Sequence, residues 1–549
     1  MSKKIIIVGG VAGGASTAAR LRRLDEQAEI IMMERGEYVS FANCGLPYYI
    51  GGVIPERSNL IVQTVEGLES RFNLDIRTRT EVQSIDRDRK EILAKNLGTG
   101  ETYRESYDYL VLSPGANPVA PPIPGLKDAA NVFTVRTIPD TDAINEFMAT
   151  HDPKYAVVVG GGFIGLEMAE NLHRRGLKVS VVEMLPQVMA PLDYEMACLV
   201  HEHLRSKGVE LILSDGVKAF HDGGQGIELQ SGRKLASDLT ILAIGVRPEV
   251  QLAKSADLEL GTTGGIKVDH TMVTSDPFIY AIGDAAEIQD PISGQAALIP
   301  LAGPANKQGR LVADNIAGRK RFYRGTMGTA IAQVFDLTVA SVGQNEKSLR
   351  QKEIEYQVVH IHGESHVDYY PGAEPMSLKL VFHPQTGRIL GAQGVGGTGV
   401  DKRIDVLATA IYAGLTVEDL QELELAYAPP FGAAKDPVNL LGFVATNLKE
   451  GLSHHYQWSE VEALQESGAY FVDVRPADAT PTKLMANAVH IPLEELRARL
   501  NELPTDRPIQ LFCSIGLRGY VAERILKQNG LTARNLDGGL TTLAATQHK

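Results

Sequence analysis

The sequence predicts an α/β protein, and three observations carry that prediction. A strand, a glycine-rich turn, a helix and a second strand ending in an acidic residue occupy residues 5–34. The same order returns over residues 155–183, so one βαβ unit occurs twice in the chain. A smaller α/β unit, with strands at Tyr470 to Val474 and Ile509 to Phe512 and helices between, fills residues 457–549.

Taken in order, Ile5 to Val8 is an all-apolar run of the kind found in a parallel strand buried on both faces. Ala15 to Leu24 carries helix formers with Arg20, Arg22 and Arg23, and Ile30 to Met33 is the next strand, closed by Glu34. In the second copy Ala156 to Val159 enters a glycine turn. A helix to Arg175 follows, then Val179 to Val182 and Glu183. Tyr109 to Leu112, followed by Ser113-Pro114-Gly115, and Leu239 to Leu242, followed by Ala243-Ile244-Gly245, supply the strands that close each unit. The first domain resumes near residues 275–325, and a mixed strand and helix region runs to about residue 446. Asn447 to Tyr456 is polar and reads as a linker. The expected divisions are 1–115, 116–245, 246–325, 326–446, 447–456 and 457–549.

Composition removes several classes of function. The chain has 549 residues, long enough for several domains, and its 44% apolar content supports large cores. With 54 basic against 67 acidic residues the net charge is −13, which argues against nucleic acid or an anionic membrane as partner. Three cysteines do not make a disulfide framework and point to a reducing compartment. Met1-Ser2-Lys3-Lys4 and the short apolar run after it lack the core of a signal peptide, and no run of 18 apolar residues suggests a membrane span. The expected location is the cytoplasm. The histidines show no metal spacing, so no metal is expected.

The glycine turns carry the first chemistry. Gly160, Gly162 and Gly165 match G-x-G-x-x-G between a strand and a helix, where backbone amides and the helix N-terminus receive a pyrophosphate. Glu183 ends the following strand, where a carboxylate accepts from a ribose diol and repels a 2′-phosphate, so NADH is expected over NADPH. The first turn departs from the pattern: Gly9, Gly10, Gly13 and Gly14 are present, but Val11 stands where the middle glycine belongs. Glu34, with Arg35 after it, plays the acidic part. A second dinucleotide site is still expected there. Within Thr274 to Ala285 a short strand ends in Gly283-Asp284, which offers a carboxylate to a polyol chain. The helix opening around Ala302 presents its positive end to a reduced flavin ring. Two Rossmann-like dinucleotide-binding domains follow.

Two thiols carry the second chemistry. Cys44 lies in Ser40-Phe41-Ala42-Asn43-Cys44-Gly45-Leu46-Pro47-Tyr48-Tyr49, downstream of the first turn, with Tyr49 five residues on instead of a second cysteine. It must take its sulfur partner from a substrate or be oxidised to sulfenate. Cys513 opens the loop Cys513-Ser514-Ile515-Gly516-Leu517-Arg518-Gly519, after an apolar strand and before a helix starting near Tyr520. Backbone N–H groups and the helix end would hold a persulfide anion there. Cys198, on an amphipathic helix, reads as core.

On these motifs, residues 1–446 resemble the single-cysteine branch of the flavin disulfide reductase superfamily. Ser40 to Tyr49 is most similar to coenzyme A disulfide reductases, and residues 457–549 resemble a rhodanese domain. The resemblance implies FAD, NADH and coenzyme A as ligands, an α+β dimerisation domain, a homodimer, and a C-terminal rhodanese-like α/β domain. It implies that Cys44 is the redox thiol, held partly as thiolate and flanked by Ser40 and Asn43. Tyr427 and one tyrosine of Tyr369-Tyr370, with Tyr369 favoured, would come from the partner subunit to serve a leaving thiolate. Gly9, Gly13, Gly14, Glu34, Arg35, Ser113, Gly115, Asp284 and Ala302 would bind FAD. Gly160, Gly162, Gly165, Glu183 and Gly245 would bind NADH. Arg20 and Arg23 would clamp coenzyme A phosphates, with Arg71 and Lys402-Arg403 as weaker choices. Arg518 would complete the Cys513 cradle, and Asp473 and Arg475 would be structural. The implied activity is NADH-dependent reduction of coenzyme A disulfide, coenzyme A persulfide or polysulfide, with the physiological sulfur acceptor left open. The alternatives are an NADH oxidase or peroxidase working through a sulfenate, and a sulfurtransferase whose acceptor the flavin unit regenerates. The single-cysteine peroxidases and oxidases carry a histidine in the first glycine turn, where Ala12 stands here, so peroxide chemistry ranks lower.

Overall fold

A computed structural model describes residues 2–485 and 487–547; the outermost expected domain bounds, at residues 1 and 549, lie outside them. The chain divides into two compact units. The first comprises residues 1–186 and 209–328, and the second residues 187–208 and 329–549.

The first unit holds two five-stranded parallel sheets. One runs in the order Ile279–Ala281, Tyr109–Leu112, Lys4–Val8, Glu29–Met33, Asp75–Arg77. Ile5, Ile6, Ile7, Ile31, Met32, Leu110 and Val111 are almost completely buried, as strands covered on both faces require. The helix Ala12–Leu24 follows the first turn and packs on the helix Ala302–Ile316. The second sheet runs Glu210–Ile212, Lys178–Val182, Tyr155–Val159, Leu239–Leu242, Val132–Phe133, with the helix Phe163–Arg174 after its glycine turn. The order of each sheet reverses beside the strand that enters the glycine turn, the crevice where such folds receive nucleotides.

The second unit joins an antiparallel sheet to a parallel one. The antiparallel sheet runs Ala330–Val334, Leu337–Gly343, Ile389–Gly396, Pro375–Phe382, Gln357–Glu364. The C-terminal sheet runs His455–Tyr456, Ala533–Leu536, Ile509–Phe512, Tyr470–Asp473, Val489–His490, all parallel. The helix Tyr194–Ser206 belongs to this unit although it lies inside the stretch expected for the second nucleotide domain. Its Cys198 is buried, as read from the sequence.

The expected linker at 447–456 is not a free connection. Asn447–Lys449 ends the helix Pro437–Lys449, and His455–Tyr456 is the edge strand beside Asn535 and Leu536. Between them Ser453 is buried, its hydroxyl donating to Glu523, which also accepts from the His454 amide at 2.6 Å. Polar composition misled here because the polarity is internally paired. Among the described residues no helix is long and apolar enough to cross a membrane.

Candidate active site

The two glycine turns are built alike, atom for atom. Gly9 and Gly160 have φ of +100° and +109°, and a Cβ on Gly14 or Gly165 would strike the carbonyl oxygen of Gly9 or Gly160. Glu34 accepts from the Gly10 and Gly36 amides at 2.8 and 2.7 Å, and Glu183 from those of Gly161 and Leu185 at 2.7 and 2.8 Å. Val11 in the first turn matches Gly162 in the second. Gly162 has φ −81° and Val11 φ −93°, so neither position needs the left-handed backbone that favours glycine. The helices after both turns lack a side-chain cap and an acidic residue in the first turn, which leaves their first amides to an anionic ligand.

Around the first turn the expected residues converge. A Cβ on Gly13 would lie 2.8 Å from Ser113 Oγ, and Ser113 donates its amide to Val8. Gly283 donates to Gln308 at 2.7 Å and sets Asp284 in a short helical turn. Burial pushes the Asp284 carboxyl up, and Arg136 opposes it. Arg136 is a cation the sequence did not flag. Burial and then Arg35 hold its pKa down, while Glu34, Asp284 and Glu249 favour its charge, so it sits within electrostatic reach of the whole set. A Cβ on Gly115 would lie 3.5 Å from its guanidinium. Arg35 itself is exposed, 3.9 Å from Glu81, and the Ala302–Ile316 helix begins where expected, uncapped by any side chain. Near the second turn a Cβ on Gly162 or Gly245 would meet nothing within 4 Å, space that a bound group can use. An uncapped helix, a half-buried carboxylate and a glycine cradle at each turn suit dinucleotides, a flavin one at the first and a pyridine one at the second.

Cys44 sits in the short turn Asn43–Gly45, just before the helix Leu46–Ile50. Asn43 Oδ1 accepts from the Cys44 amide at 3.1 Å and lies 3.8 Å from its Sγ. Ser40, at φ +46°, works through its backbone, donating to Gly10 and accepting from Val62 and Gln63, and so ties the thiol segment to the glycine turn. The surrounding protein, then the carboxylates of Glu167 and Asp284, push the Cys44 thiol up, and its own backbone N–H opposes them. Because Cys44 is exposed, the two carboxylates are the firmer cause. The chain's own groups around Cys44 therefore do not favour the thiolate that the resemblance implies. Glu167 was also missed. Burial lifts its carboxyl to about 7, and Tyr48 Oη, 3.3 Å away, opposes the shift. No local signal announces a contact between residues so far apart in sequence.

The arginines divide. Arg20 is bound by Asp314 at 2.8 Å across the two packed helices, so it is a structural pair rather than a free clamp. Arg403 is buried against Asp436 at 2.9 Å and the Ser365 carbonyl, which removes it as a phosphate ligand. Arg23, lying over the Phe72 ring, and Arg71 are exposed.

In the second unit Tyr369 Oη and Tyr427 Oη meet at 3.1 Å on an exposed face, while Tyr370 packs edge-on against His366, so geometry pairs the favoured tyrosine with Tyr427. Cys513 is buried beneath its loop, and its Sγ accepts from the Gly516 and Gly519 amides at 3.2 and 3.5 Å. The helix after it is Leu517–Gln528, beginning before Tyr520, which puts exposed Arg518 in its first turn. Asp473 pairs with Arg475 at 2.6 Å.

Two glycine turns of nucleotide-binding form, a thiol turn tied to one of them and a second thiol held by backbone amides suit an oxidoreductase. The chain belongs to the pyridine nucleotide-disulphide oxidoreductase family, which matches residues 3–309; that family's dimerisation domain matches 329–437 and a rhodanese-like domain matches 457–546. It is 36% identical over 447 residues to the coenzyme A disulfide reductase of Staphylococcus haemolyticus, covering 81% of this chain and 100% of the relative. The solved structure of reduced CoADR-RHD from Bacillus anthracis is 53% identical with a TM-score of 0.98, covering 100% of this chain and 98% of that one. A NAD-dependent persulfide reductase from A. fulgidus is 39% identical with a TM-score of 0.91, covering 98% and 99%.

Proposed function

We propose that this enzyme uses NADH to reduce a sulfur–sulfur bond of coenzyme A disulfide or coenzyme A persulfide through Cys44, and that Cys513 handles sulfane sulfur in the same cycle. The observation that carries the reading is that Cys44 is the lone cysteine of the nucleotide-binding unit. Its sulfur partner must then arrive with the substrate. A bound flavin supplies two-electron transfer from the nicotinamide to sulfur.

The chain's own residues do the rest. Cys44 thiolate attacks one sulfur, forming a mixed disulfide and expelling a thiolate; reduction of that bond returns Cys44 and releases the second thiol. For the disulfide, NADH and one proton yield NAD⁺ and two coenzyme A thiols. For the persulfide they yield NAD⁺, coenzyme A and hydrogen sulfide. Glu167, with its carboxyl near 7, stores a proton close to Cys44 at working pH. Asn43 orients the thiol. The Tyr369–Tyr427 pair, presented by the second subunit of a homodimer, donates to the leaving thiolate. Exposed Arg23 is the better remaining contact for coenzyme A phosphates, and Glu183 selects NADH. The enzyme works in the cytoplasm.

Anaerobic NADH consumption with coenzyme A disulfide, coenzyme A persulfide and polysulfide, with thiol and sulfide measured together, tests the reading. Oxidation of NADH by oxygen alone, with none of these sulfur substrates turned over, would overturn it.

A further inference from the structure

A continuous chain of contacts leads from the Cys513 loop into the antiparallel sheet, and the reactions above leave it unused. It starts at the loop's own carbonyls. Cys513 C=O accepts from the Leu540 amide at 2.9 Å, and Ser514 C=O accepts from the Thr541 amide and hydroxyl at 2.9 and 3.0 Å. Those donors open the helix Gly539–Ala545. Ahead of it, Gly538 and Gly539 have φ of +66° and +62°. A Cβ on Gly539 would lie 2.6 Å from both loop carbonyls, and one on Gly538 would lie 3.0 Å from His360 Cβ. This turn therefore fits between the sulfur loop and the sheet with no room to spare.

Asp537 precedes the turn and is fixed by the sheet. His360, on the strand Gln357–Glu364, donates to it twice, from Nδ1 at 2.7 Å and from its amide at 3.1 Å. The His360 Nε2 is 3.0 Å from Glu195, which in turn pairs with the buried Lys379. Both His360 and Asp537 are almost wholly buried. Gln457 Nε2 and His455 stand 3.2 and 3.4 Å from the Asp537 carboxylate. His362, on the same strand as His360, is bound to Thr542 at 2.8 Å, and burial and then His360 hold it down to about 4, so it is neutral beside the charged pair.

We propose that His360 is a positioning residue for the sulfur chemistry of Cys513, acting through Asp537 and the Gly538-Gly539 turn. A peptide unit is planar, so holding the carbonyls of Cys513 and Ser514 sets the first two peptide planes of the loop. From those planes the chain turns back to aim the Gly516 and Gly519 amides at Sγ. Without the imidazolium, Asp537 is a buried carboxylate short of its main donor, and the turn beneath the loop loses its anchor. The inference rests on the reading of Cys513 as a sulfane-sulfur site.

The test uses the full-length holoenzyme as parent, His360→Ala, Asp537→Asn and His360→Asn, whose amide can still donate to Asp537. Thiosulfate is the sulfur donor and cyanide the acceptor: Cys513 thiolate takes the outer sulfur, releasing sulfite, and cyanide removes it as thiocyanate. Alkylation of Cys513 by iodoacetamide is followed by peptide mass spectrometry at neutral and high pH, with Cys44 alkylation and NADH-dependent cleavage of coenzyme A disulfide read on the same samples. His360→Ala and Asp537→Asn should lose about tenfold in thiocyanate formation and in neutral-pH alkylation of Cys513. The alkylation gap should narrow at high pH, where thiols in general are ionised. His360→Asn should recover most of the loss, and the Cys44 readouts should not move. Equal Cys513 reactivity in parent and His360→Ala would overturn the inference alone, as would joint loss of both thiol sites that His360→Asn does not relieve. An inert Cys513 in the parent would overturn the reading of the loop and this inference with it.

Discussion

At the scale of single residues, the nucleophile and the cofactor-reading carboxylate each make a sharp expectation. Cys44→Ser should keep flavin bound and still allow NADH to bleach it, because hydride transfer needs no thiol. Turnover of sulfur substrates should fall by about 10⁴-fold or more, since a serine hydroxyl stays protonated at neutral pH. Steady-state assays beside anaerobic flavin spectra check both halves; near-parental cleavage of coenzyme A disulfide would unseat Cys44. Glu183 holds two amides of its own turn, with Met184 and Leu185 after it and no arginine to greet a phosphate. A 2′-phosphate would meet that carboxylate at a cost on the order of 1 to a few kcal/mol, so kcat/KM should favour NADH by about tenfold or more. Preference for NADPH would mean that Glu183 faces elsewhere. Arg136 shows why such reading stops short: nothing beside it in sequence marks a cation, yet its field meets Arg35, Glu34 and Asp284.

At the scale of elements, the strands and helices were legible because local patterns are strong. Ile5 to Val8 and Ile509 to Phe512 are apolar runs bounded by turns, and both are buried strands. What pairs across elements was not legible. Lys379 is fully buried on an antiparallel strand and is held by Asp193 at 2.9 Å, by Glu195 and by Glu346, groups from two other segments. The neighbouring His360 gives this cluster a pH signature. Burial opposes its charge, but Asp537 and then Glu195 outweigh burial and carry its pKa up to about 9, against roughly 6.5 in an unfolded chain. Its stabilising contribution is therefore complete below roughly 6.5 and is lost as pH rises through about 9. Asp537 runs the other way: opposed by burial but favoured by His360, its carboxyl lies well below the usual range, and its contribution fades only in strong acid. The Tm advantage of the parent over His360→Asn should be full below about pH 6.5 and shrink as pH rises to about 9. A Tm difference that stays constant across that range would show that His360 is not charged in the fold.

At the scale of the whole molecule, two thiols in separate units allow the chemistry to be divided. Cys513→Ser should leave NADH-dependent cleavage of coenzyme A disulfide near the parental rate. It should lower sulfide release from polysulfide by about tenfold, because the Cys513 loop aims two amides at Sγ, where a persulfide anion would be held. Equal sulfide release from parent and variant across donor sizes would make the rhodanese-like domain a storage module rather than a relay. By itself the sequence determined the duplicated βαβ unit, both glycine turns with their closing carboxylates, and the two thiols set in turns. Each of these is written in a short contiguous stretch whose residue types and spacing have local physical consequences. Only the tertiary structure decided that Arg20 and Arg403 are paired with Asp314 and Asp436, that the supposed linker begins as a helix end and finishes as an edge strand, and that two carboxylates oppose a thiolate at Cys44. It alone ties Asp537 to His360, 177 positions away. Charge pairing and desolvation depend on distances through space between groups remote in the chain, and no local pattern encodes those.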